Sequence, residues 1–299
     1  MLRLTWYTWL FVVLVNGNER KLTNEEVLQQ FEDIINEEKY VLALFTKSCC
    51  QCVECVETEA LLASTSHHLE DSYGVKIVKL IEHKVLQERY GIKSYPTVLY
   101  IRDGIPLLYD GSLELDALLE AIEKNREPLI KSLNDESFEH LTQAATGATT
   151  GDWLVLFYND ACKKKKEMYQ VQMETVGVRF QNRVNVAFVD TKESPELKER
   201  FKVTACPVII YFRHSKMYAY NFPEITVPYL EKFLEGWYKN SKMESVPLPK
   251  TPFDKLTDFA AEFLQKHSKQ ILMYAALVII IVFMLKFFLS FFSKKEKKE

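Results

Sequence analysis

The feature that most constrains how this chain can fold is an internal repeat. Two kinds of segment occur twice, namely VLALFTKSC (41–49) with WLVLFYNDAC (153–162), and ERYGIKSYPTVLYIRDG (88–104) with ERFKVTACPVIIYFRHS (199–215). Phe157 follows Phe45 by 112 residues, and Pro207 follows Pro96 by 111. Two matched landmarks at almost the same offset predict two copies of one domain.

Within each copy, short apolar runs alternate with helical stretches. The first copy, residues 22–126, has the predicted order strand Tyr40–Phe45, helix 52–70, strand Val75–Leu80, helix 82–90, strands Thr97–Ile101 and Leu107–Tyr109, and helix Leu113–Lys124. The second copy, residues 130–240, repeats this order with strands near 153–158, 184–189, 208–212 and 217–220 and a closing helix over Pro228–Tyr238. Strands that alternate with helices predict an α/β fold.

The first seventeen residues, MLRLTWYTWLFVVLVNG, have the pattern of a secretory signal peptide. They carry one early Arg3 and an apolar run through Val15, which is too short to span a bilayer comfortably. We therefore predict a signal peptide at 1–17. The chain would enter the secretory pathway, where disulfides form and persist.

The C-terminal region is predicted to anchor the chain in a membrane. Residues 241–269 read as a linker containing prolines followed by an amphipathic segment, and residues 270–292 are apolar and long enough for a transmembrane helix. The basic tail SKKEKKE, residues 293–299, is predicted to be cytosolic by the positive-inside rule. The layout predicts a type I single-pass protein with a luminal N-terminal body.

Four of the six cysteines lie within seven residues, at Cys49, Cys50, Cys52 and Cys55. A dithiol exchange site needs a thiolate at a helix N-terminus and a second thiol about one turn away. Two C-x-x-C spacings and one C-x-C spacing within the cluster meet that need. Structural disulfides are an alternative. Four thiolates could also bind zinc or copper(I), but one short segment does not easily arrange four sulfurs tetrahedrally, so no metal site is predicted.

Together, these motifs resemble a thioredoxin domain of the protein disulfide isomerase family. The resemblance rests on the cysteine cluster after a strand ending in Phe45, on YGIKSYPT at 90–97 and on RDG at 102–104. The whole layout is similar to the membrane-anchored, thioredoxin-related proteins of the endoplasmic reticulum. It implies two tandem thioredoxin-like domains, each a central mixed β-sheet flanked by helices, followed by one transmembrane helix.

The resemblance also implies roles for residues of the first domain. Pro96 should be a cis-proline, and the backbone of Tyr95 and Pro96 should dock an extended substrate. We take Cys49 as the attacking cysteine and Cys52 as the resolving one, with Cys52 and Cys55 as the second choice and Cys50 as a further redox cysteine. Leu44 stands where the family carries a buried acid that helps to move protons.

In the second domain, Cys162 has the family's register but is followed by four lysines, Lys163–Lys166, instead of a C-x-x-C partner. Cys206 directly precedes Pro207, which the resemblance implies is also cis, at a position that faces the first active cysteine in this fold. We therefore hypothesise a Cys162–Cys206 disulfide or close thiol pair; two inert buried thiols are the alternative. This domain is expected to bind polypeptide without catalysis.

The leading functional prediction is a thiol–disulfide oxidoreductase of the endoplasmic reticulum membrane that acts on luminal client proteins and needs no cofactor. The alternative is a redox-silent, chaperone-like or scaffold protein whose cysteine cluster is structural or traps partner thiols. Lys295 and Lys297 resemble a dilysine-type retrieval signal read by coat proteins. A net charge of -3 does not favour a nucleic-acid partner.

Overall fold

The computed structural model describes residues 12–13, 23–48, 52–112, 114–147 and 151–295. The chain divides into two compact units, Met1–Pro247 and Leu248–Glu299. The first unit contains a five-stranded and a six-stranded sheet, one in each of the two repeats. This agrees with the predicted pair of α/β domains.

The first domain contains nine helices and strands among its described residues. They are β1 (Val12–Val13), α1 (Asn24–Glu37), β2 (Tyr40–Thr46), α2 (Val53–Tyr73), β3 (Val75–Ile81), α3 (Lys84–Tyr90), β4 (Thr97–Arg102), β5 (Ile105–Tyr109) and α4 (Leu115–Lys124). The sheet order is β1-β3-β2-β4-β5. Strands β1, β3 and β2 run parallel, whereas β4 and β5 are antiparallel to their neighbours, so the sheet is mixed as predicted.

Strand β2 is apolar along its whole length because both of its faces are covered. Every one of its seven residues is buried. Val41, Ala43 and Phe45 pack with α1 and α3, whereas Leu42 and Leu44 pack with α2 and α4. A strand buried on both faces has a continuous apolar run instead of an alternating one, which explains why this segment was readable from the sequence.

The second domain repeats the strand order of the first and adds one strand, β11, at one edge. Its elements are β6 (Lys131–Leu133), α5 (Ser137–Thr142), β7 (Asp152–Tyr158), a 3₁₀ turn at Lys163–Lys165, α6 (Lys166–Arg179), β8 (Val184–Asp190), α7 (Pro195–Arg200), β9 (Val208–Arg213), β10 (Lys216–Ala219), α8 (Val227–Glu235), a 3₁₀ turn at Trp237–Asn240 and β11 (Met243–Ser245). The sheet order is β11-β10-β9-β7-β8-β6.

The second domain extends past the predicted boundary at residue 240. Strand β11 pairs antiparallel with β10, and Val246 is buried in the core beside it. The sequence predicts a linker here because the three residues of β11 are too few to show an alternating pattern. The predicted linker therefore begins only after the sheet ends.

The two domains are joined by a polar network around Glu174 of α6. Its carboxylate pairs with Arg102 of β4, and both side chains are fully buried. The same carboxylate accepts hydrogen bonds from the backbone N–H groups of Leu129 and Ile130, each at 2.9 Å. Since those two residues lie in the connection between the domains, Glu174 of α6 holds that connection and β4 of the first domain together.

The second unit contains one helix, α9 (Pro252–Lys295), of 44 residues. Its stretch Pro252–Lys286 contains an 18-residue window with a mean hydropathy of 2.1, and the helix is long and apolar enough to cross a membrane. The predicted amphipathic segment and the predicted transmembrane helix thus belong to a single continuous helix. The predicted signal peptide, apart from Val12–Val13, and the tail beyond Lys295 lie outside the described residues.

Candidate active site

The site of greatest chemical interest is a disulfide at the start of α2. Cys52 and Cys55 are bonded, with their Cα atoms 5.2 Å apart. Cys52 is half-buried, whereas Cys55 is only 2% exposed. An external thiol can therefore reach Cys52 but not Cys55, which assigns the attacked and the leaving sulfur.

This pair is the second of the two that the sequence spacing suggested. Cys49 and Cys50 lie outside the described residues, so the preferred pair of Cys49 with Cys52 stays a prediction. The structure bonds Cys52 to Cys55 because α2 begins at Val53, which puts these two cysteines one helical turn apart.

Cys52 is the N-cap residue of α2. Its sulfur accepts a hydrogen bond from the backbone N–H of Cys55 at 3.2 Å. The free N–H groups and the dipole of a helix N-terminus stabilise a negative charge, so reduction of the disulfide would leave a favoured thiolate on Cys52. The more accessible sulfur of the pair, that of Cys52, therefore lies at the helix N-terminus.

The loops around this disulfide meet at one end of the sheet. Ser48 Oγ, after β2, donates to Glu82 Oε2, after β3, at 3.3 Å, and Lys47 Nζ lies 5.3 Å from the centre of the Tyr95 ring. The Tyr95–Pro96 peptide bond is cis, as the resemblance implied. Burial and the negative charge of Glu82 raise the pKa of Tyr95, so its hydroxyl stays protonated at neutral pH.

Apolar side chains are exposed next to the disulfide. Val53 and Val56, in the first turn of α2, are 74% and 50% exposed. These two valines add apolar surface next to Cys52. The role of Tyr95 and Pro96 in docking a substrate stays a prediction.

Two charged residues beneath α2 were missed from the sequence. Lys79 of β3 pairs with Glu59 of α2, and the Lys79 side chain is 12% exposed. Lys79 is aligned with Leu44 on the neighbouring strand, where the family's acid was expected. The sequence did contain a signal for Lys79. Val75, Ile77 and Lys79 occupy every second position of β3 and therefore share one face, on which the lysine follows two apolar residues.

In the second domain, Cys162 and Cys206 are joined by a disulfide, with their Cα atoms 5.8 Å apart. Cys162 is buried, and the sulfur of Cys206 accepts a hydrogen bond from the backbone N–H of Asn159 at 3.2 Å. The Cys206–Pro207 bond is cis. The bond ties the start of the 3₁₀ turn at Lys163–Lys165 to the loop before β9.

A cleft of about 350 Å³ lies between the domains, next to Pro207. Gly91 and Lys93 line it from the first domain, and Lys165, Tyr169 and Pro207 are among its residues from the second. Lys93 Nζ forms an ion pair with Glu224 Oε2 at 3.1 Å across the domain boundary. Among the described residues, no three His, Cys, Asp or Glu side chains are grouped so as to hold a metal ion.

A mixed α/β sheet with a disulfide at a helix N-terminus and a cis-proline at the same end of the sheet defines a protein of the thioredoxin fold. The sequence agrees with this class. The chain belongs to the thioredoxin-like domain family, whose model matches residues 70–236, more than half of its length.

Individual relatives cover only parts of this chain. A thioredoxin domain-containing protein of Theileria parva is 39% identical over 127 residues, which are 42% of this chain and 57% of that protein. Protein disulfide-isomerase A4 of Rattus norvegicus is 22% identical over 210 residues, 67% of this chain and 31% of the relative. The chain thus spans about a third to just over half of the length of these relatives.

Solved structures that the chain matches include full-length ERdj5 and the zinc-bound form of human ERp44. ERdj5 has a TM-score of 0.41 at 18% identity, with 70% of this chain and 30% of that chain covered. ERp44 has a TM-score of 0.32 at 15% identity, with 70% of this chain and 55% of that chain covered.

Proposed function

We propose that this protein is a thiol–disulfide oxidoreductase of the endoplasmic reticulum membrane that acts on luminal client proteins. The observation that carries the proposal is the Cys52–Cys55 disulfide, with its accessible sulfur at the N-cap of α2 and its second sulfur buried. Similarity to proteins named as disulfide isomerases supports the same reaction class.

The geometry of the pair gives the order of the exchange steps. A client thiolate attacks Cys52 Sγ, the Cys52–Cys55 bond breaks, and the Cys55 sulfur leaves with the electron pair and takes up a proton. A second client thiolate then attacks the client sulfur of the mixed disulfide and releases Cys52 as a thiolate at the helix N-terminus. Two electrons pass from the client to the pair, and the reverse sequence reduces a client disulfide.

The proposed location follows from the second unit and the ends of the chain. Helix α9 is long and apolar enough to cross a bilayer, and the basic residues beyond it favour a cytosolic tail. With a cleaved signal peptide at 1–17, both domains would lie in the lumen, and the first sheet would lose its edge strand β1. Lys295 and Lys297 would serve as a retrieval signal read by coat proteins.

The second domain is proposed to bind clients instead of exchanging disulfides. Cys162 is bonded to Cys206 and has no C-x-x-C partner, so the domain lacks an accessible dithiol of the kind found at Cys52. The cleft beside Pro207 combines the apolar side chains of Met168 and Ile225 with charged ones at its rim. Such a mixture suits an extended polypeptide.

The test is a redox titration of the full chain in detergent micelles and glutathione buffers. Alkylation followed by mass spectrometry identifies which cysteines are reduced at each potential. We expect the Cys52–Cys55 pair to titrate at roughly -120 to -270 mV, the range of known exchange catalysts. A pair that stays oxidised below about -300 mV would behave as a structural bridge and would overturn the proposal.

The second candidate is a redox-silent protein that binds clients through the cleft beside Pro207. The specific observation in its favour is that residues of both domains line this cleft. It predicts peptide binding that is unchanged when Cys52 and Cys55 are both replaced by serine. The titration separates the two functions, because only an exchange catalyst needs an easily reduced pair.

A further inference from the structure

The longest run of like charge in the chain is the four lysines Lys163–Lys166 of the second domain. The first three form the 3₁₀ turn, and Lys166 begins α6. The positive end of the helix dipole lies at the N-terminus of a helix, so cations at this position are unfavourable for the fold. The stability of α6 therefore does not explain the run.

The first three lysines have no acidic partner in the part of the chain that the structure describes. Lys163, Lys164 and Lys165 are exposed. Asp160, which precedes the run by three residues, is paired with Lys192 at 2.7 Å. The turn Lys163–Lys165, called the basic turn below, therefore presents three ammonium groups that can meet a carboxylate from another molecule.

The basic turn is held in place by the disulfide of the second domain. Cys162, directly before the turn, is bonded to Cys206, directly before Pro207. The backbone N–H of Lys165 donates to the Cys162 oxygen at 3.0 Å, and that of Asn159 donates to the Cys206 sulfur at 3.2 Å. A charged surface that is already ordered loses less conformational entropy on binding than a free loop does.

Lys165 also lines the interdomain cleft of about 350 Å³. The two other charged residues of the lining, Lys93 and Glu224, pair with each other at 3.1 Å. The net positive charge of the lining therefore belongs to Lys165. Apolar side chains are contributed by Met168 and Ile225. The cleft thus combines apolar contact surface with positive charge at the basic turn.

This combination fits an acidic polypeptide better than a nucleic acid. Nucleic acids are bound by arginine forks and by aromatic rings on which bases stack. No arginine is among the described residues that line the cleft, and its aromatic residue, Tyr169, is buried. The lining instead includes Pro207 and Pro223, whose apolar rings can contact the side chains of an extended chain. Opposite charge attracts such a chain and orients it.

We propose that the cleft and the basic turn select client segments in which carboxylates flank apolar residues. The apolar side chains of such a segment rest against Met168 and Ile225, and its carboxylates face the lysines of the turn. This inference rests on the proposed client-binding role of the second domain and names the class of polypeptide that it takes.

The experiment measures peptide binding by the full chain in micelles of a neutral detergent. The probes are three peptides of about ten residues in which valine alternates with glutamate, glutamine or lysine, each carrying a neutral dye for fluorescence anisotropy. None contains cysteine, so exchange at Cys52 does not contribute. One variant combines Lys163→Gln, Lys164→Gln and Lys165→Gln. The control combines Lys202→Gln, Lys239→Gln and Lys242→Gln, which removes the same charge from exposed lysines of the same domain outside the cleft.

We expect the parent to bind the glutamate peptide about tenfold more tightly than the glutamine peptide at about 0.1 M salt, as a few exposed ion pairs would provide. The preference should disappear at about 1 M salt, where charges are screened within a few ångströms. Glutamine at the basic turn should remove the preference, and the control should keep it.

A charge-reversed turn, with Lys163→Glu, Lys164→Glu and Lys165→Glu, should prefer the lysine peptide. Misfolding cannot produce this gain of binding, so the variant separates a direct role of the turn from a structural one. Equal affinity of the parent for the glutamate and glutamine peptides would overturn the inference, as would an equal loss of preference in the control. If the parent binds none of the peptides, the client-binding role of the second domain fails too, whereas the exchange function is tested separately by the redox titration.

Discussion

Arg102 and Glu174 form an ion pair whose side chains are both fully buried, one from each thioredoxin-like domain. Arg102 also donates from Nε to the backbone oxygen of Asn125 at 2.9 Å, and Glu174 also accepts from the backbone of the interdomain connection. Because every group of the pair has a partner, the charges are compensated. The two domains therefore depend on each other through one buried site.

Replacing Glu174 by alanine should destabilise the protein strongly. The change leaves the buried guanidinium of Arg102 without its counterion, which typically costs about 3–5 kcal/mol. Urea unfolding of the full chain measures this loss. The control is Asp160→Ala, which breaks the solvent-exposed pair with Lys192 and should cost much less, because water screens exposed ion pairs. Equal losses in the two variants would contradict an interdomain role for the buried pair.

Gly91 and Gly104 should respond differently to alanine. Both have left-handed backbones, with φ of +68° and +75°. A Cβ on Gly91 would lie 2.6 Å from Met168 Cγ of the second domain, whereas a Cβ on Gly104 would meet nothing within 4 Å. Backbone strain costs both variants about 1 kcal/mol, so Gly91→Ala should show an additional loss in thermal unfolding. Met168→Ala in the same chain should restore part of that loss; no restoration would place the cause elsewhere.

The two disulfides should contribute unequally to stability. Cys162 and Cys206 are 44 residues apart in sequence, and Cys52 and Cys55 are three apart. On the chain-entropy account, closing the longer loop is worth about 4 kcal/mol and closing the shorter one about 2 kcal/mol. Double serine variants of each pair, compared by urea unfolding without reductant, test this difference. A larger loss for the Cys52 and Cys55 variant would contradict the expectation.

A Cys55→Ser variant should trap clients as mixed disulfides on Cys52. Cys52 is reachable by external thiols, and serine at position 55 removes the thiol that would release the client. Non-reducing electrophoresis of cell extracts measures the trapped species, with Cys52→Ser as the control that should trap none through this pair. The comparison is made with Cys49 and Cys50 replaced by serine.

The same variant in the native background tests the other predicted pair. If Cys49 resolves mixed disulfides on Cys52, the Cys55→Ser chain with Cys49 present will release its clients. Persistent trapping in both backgrounds assigns resolution to Cys55 alone. The outcome decides between the two C-x-x-C spacings of the cluster.

Much of the fold was predictable because its signals are local. The strands over Tyr40–Thr46 and Asp152–Tyr158 are continuous apolar runs, and the predicted bounds differ from the observed ones by one residue at one end. Short elements were missed, including β6 and β11, which have three residues each. Elements of this length carry too few residues for a periodic pattern and form because a neighbouring strand offers hydrogen-bond partners.

The candidate site was predictable in its chemistry but not in its pairing. The cluster of cysteines predicted thiol exchange, yet the choice among its spacings depends on where α2 begins, and no sequence motif fixes that residue. The pair of Glu59 and Lys79 was missed for a related reason. Its members are 20 residues apart and meet only when α2 packs on β3.

The sequence by itself determined the repeat, the layered α/β class and the apolar C-terminal helix, because each depends on residue types within a short window or on a regular offset. The two cis-prolines were implied by the family resemblance of the motifs around them. Tertiary structure alone decided that Cys52 bonds Cys55, that Glu59 and Lys79 meet beneath this pair, and that Arg102 and Glu174 join the domains. The two ion pairs join residues that are far apart in the chain, so only the packing of helices against sheets brings them together. The cysteine pair is one of two with the same C-x-x-C spacing, so only the start of α2 decides which pair forms.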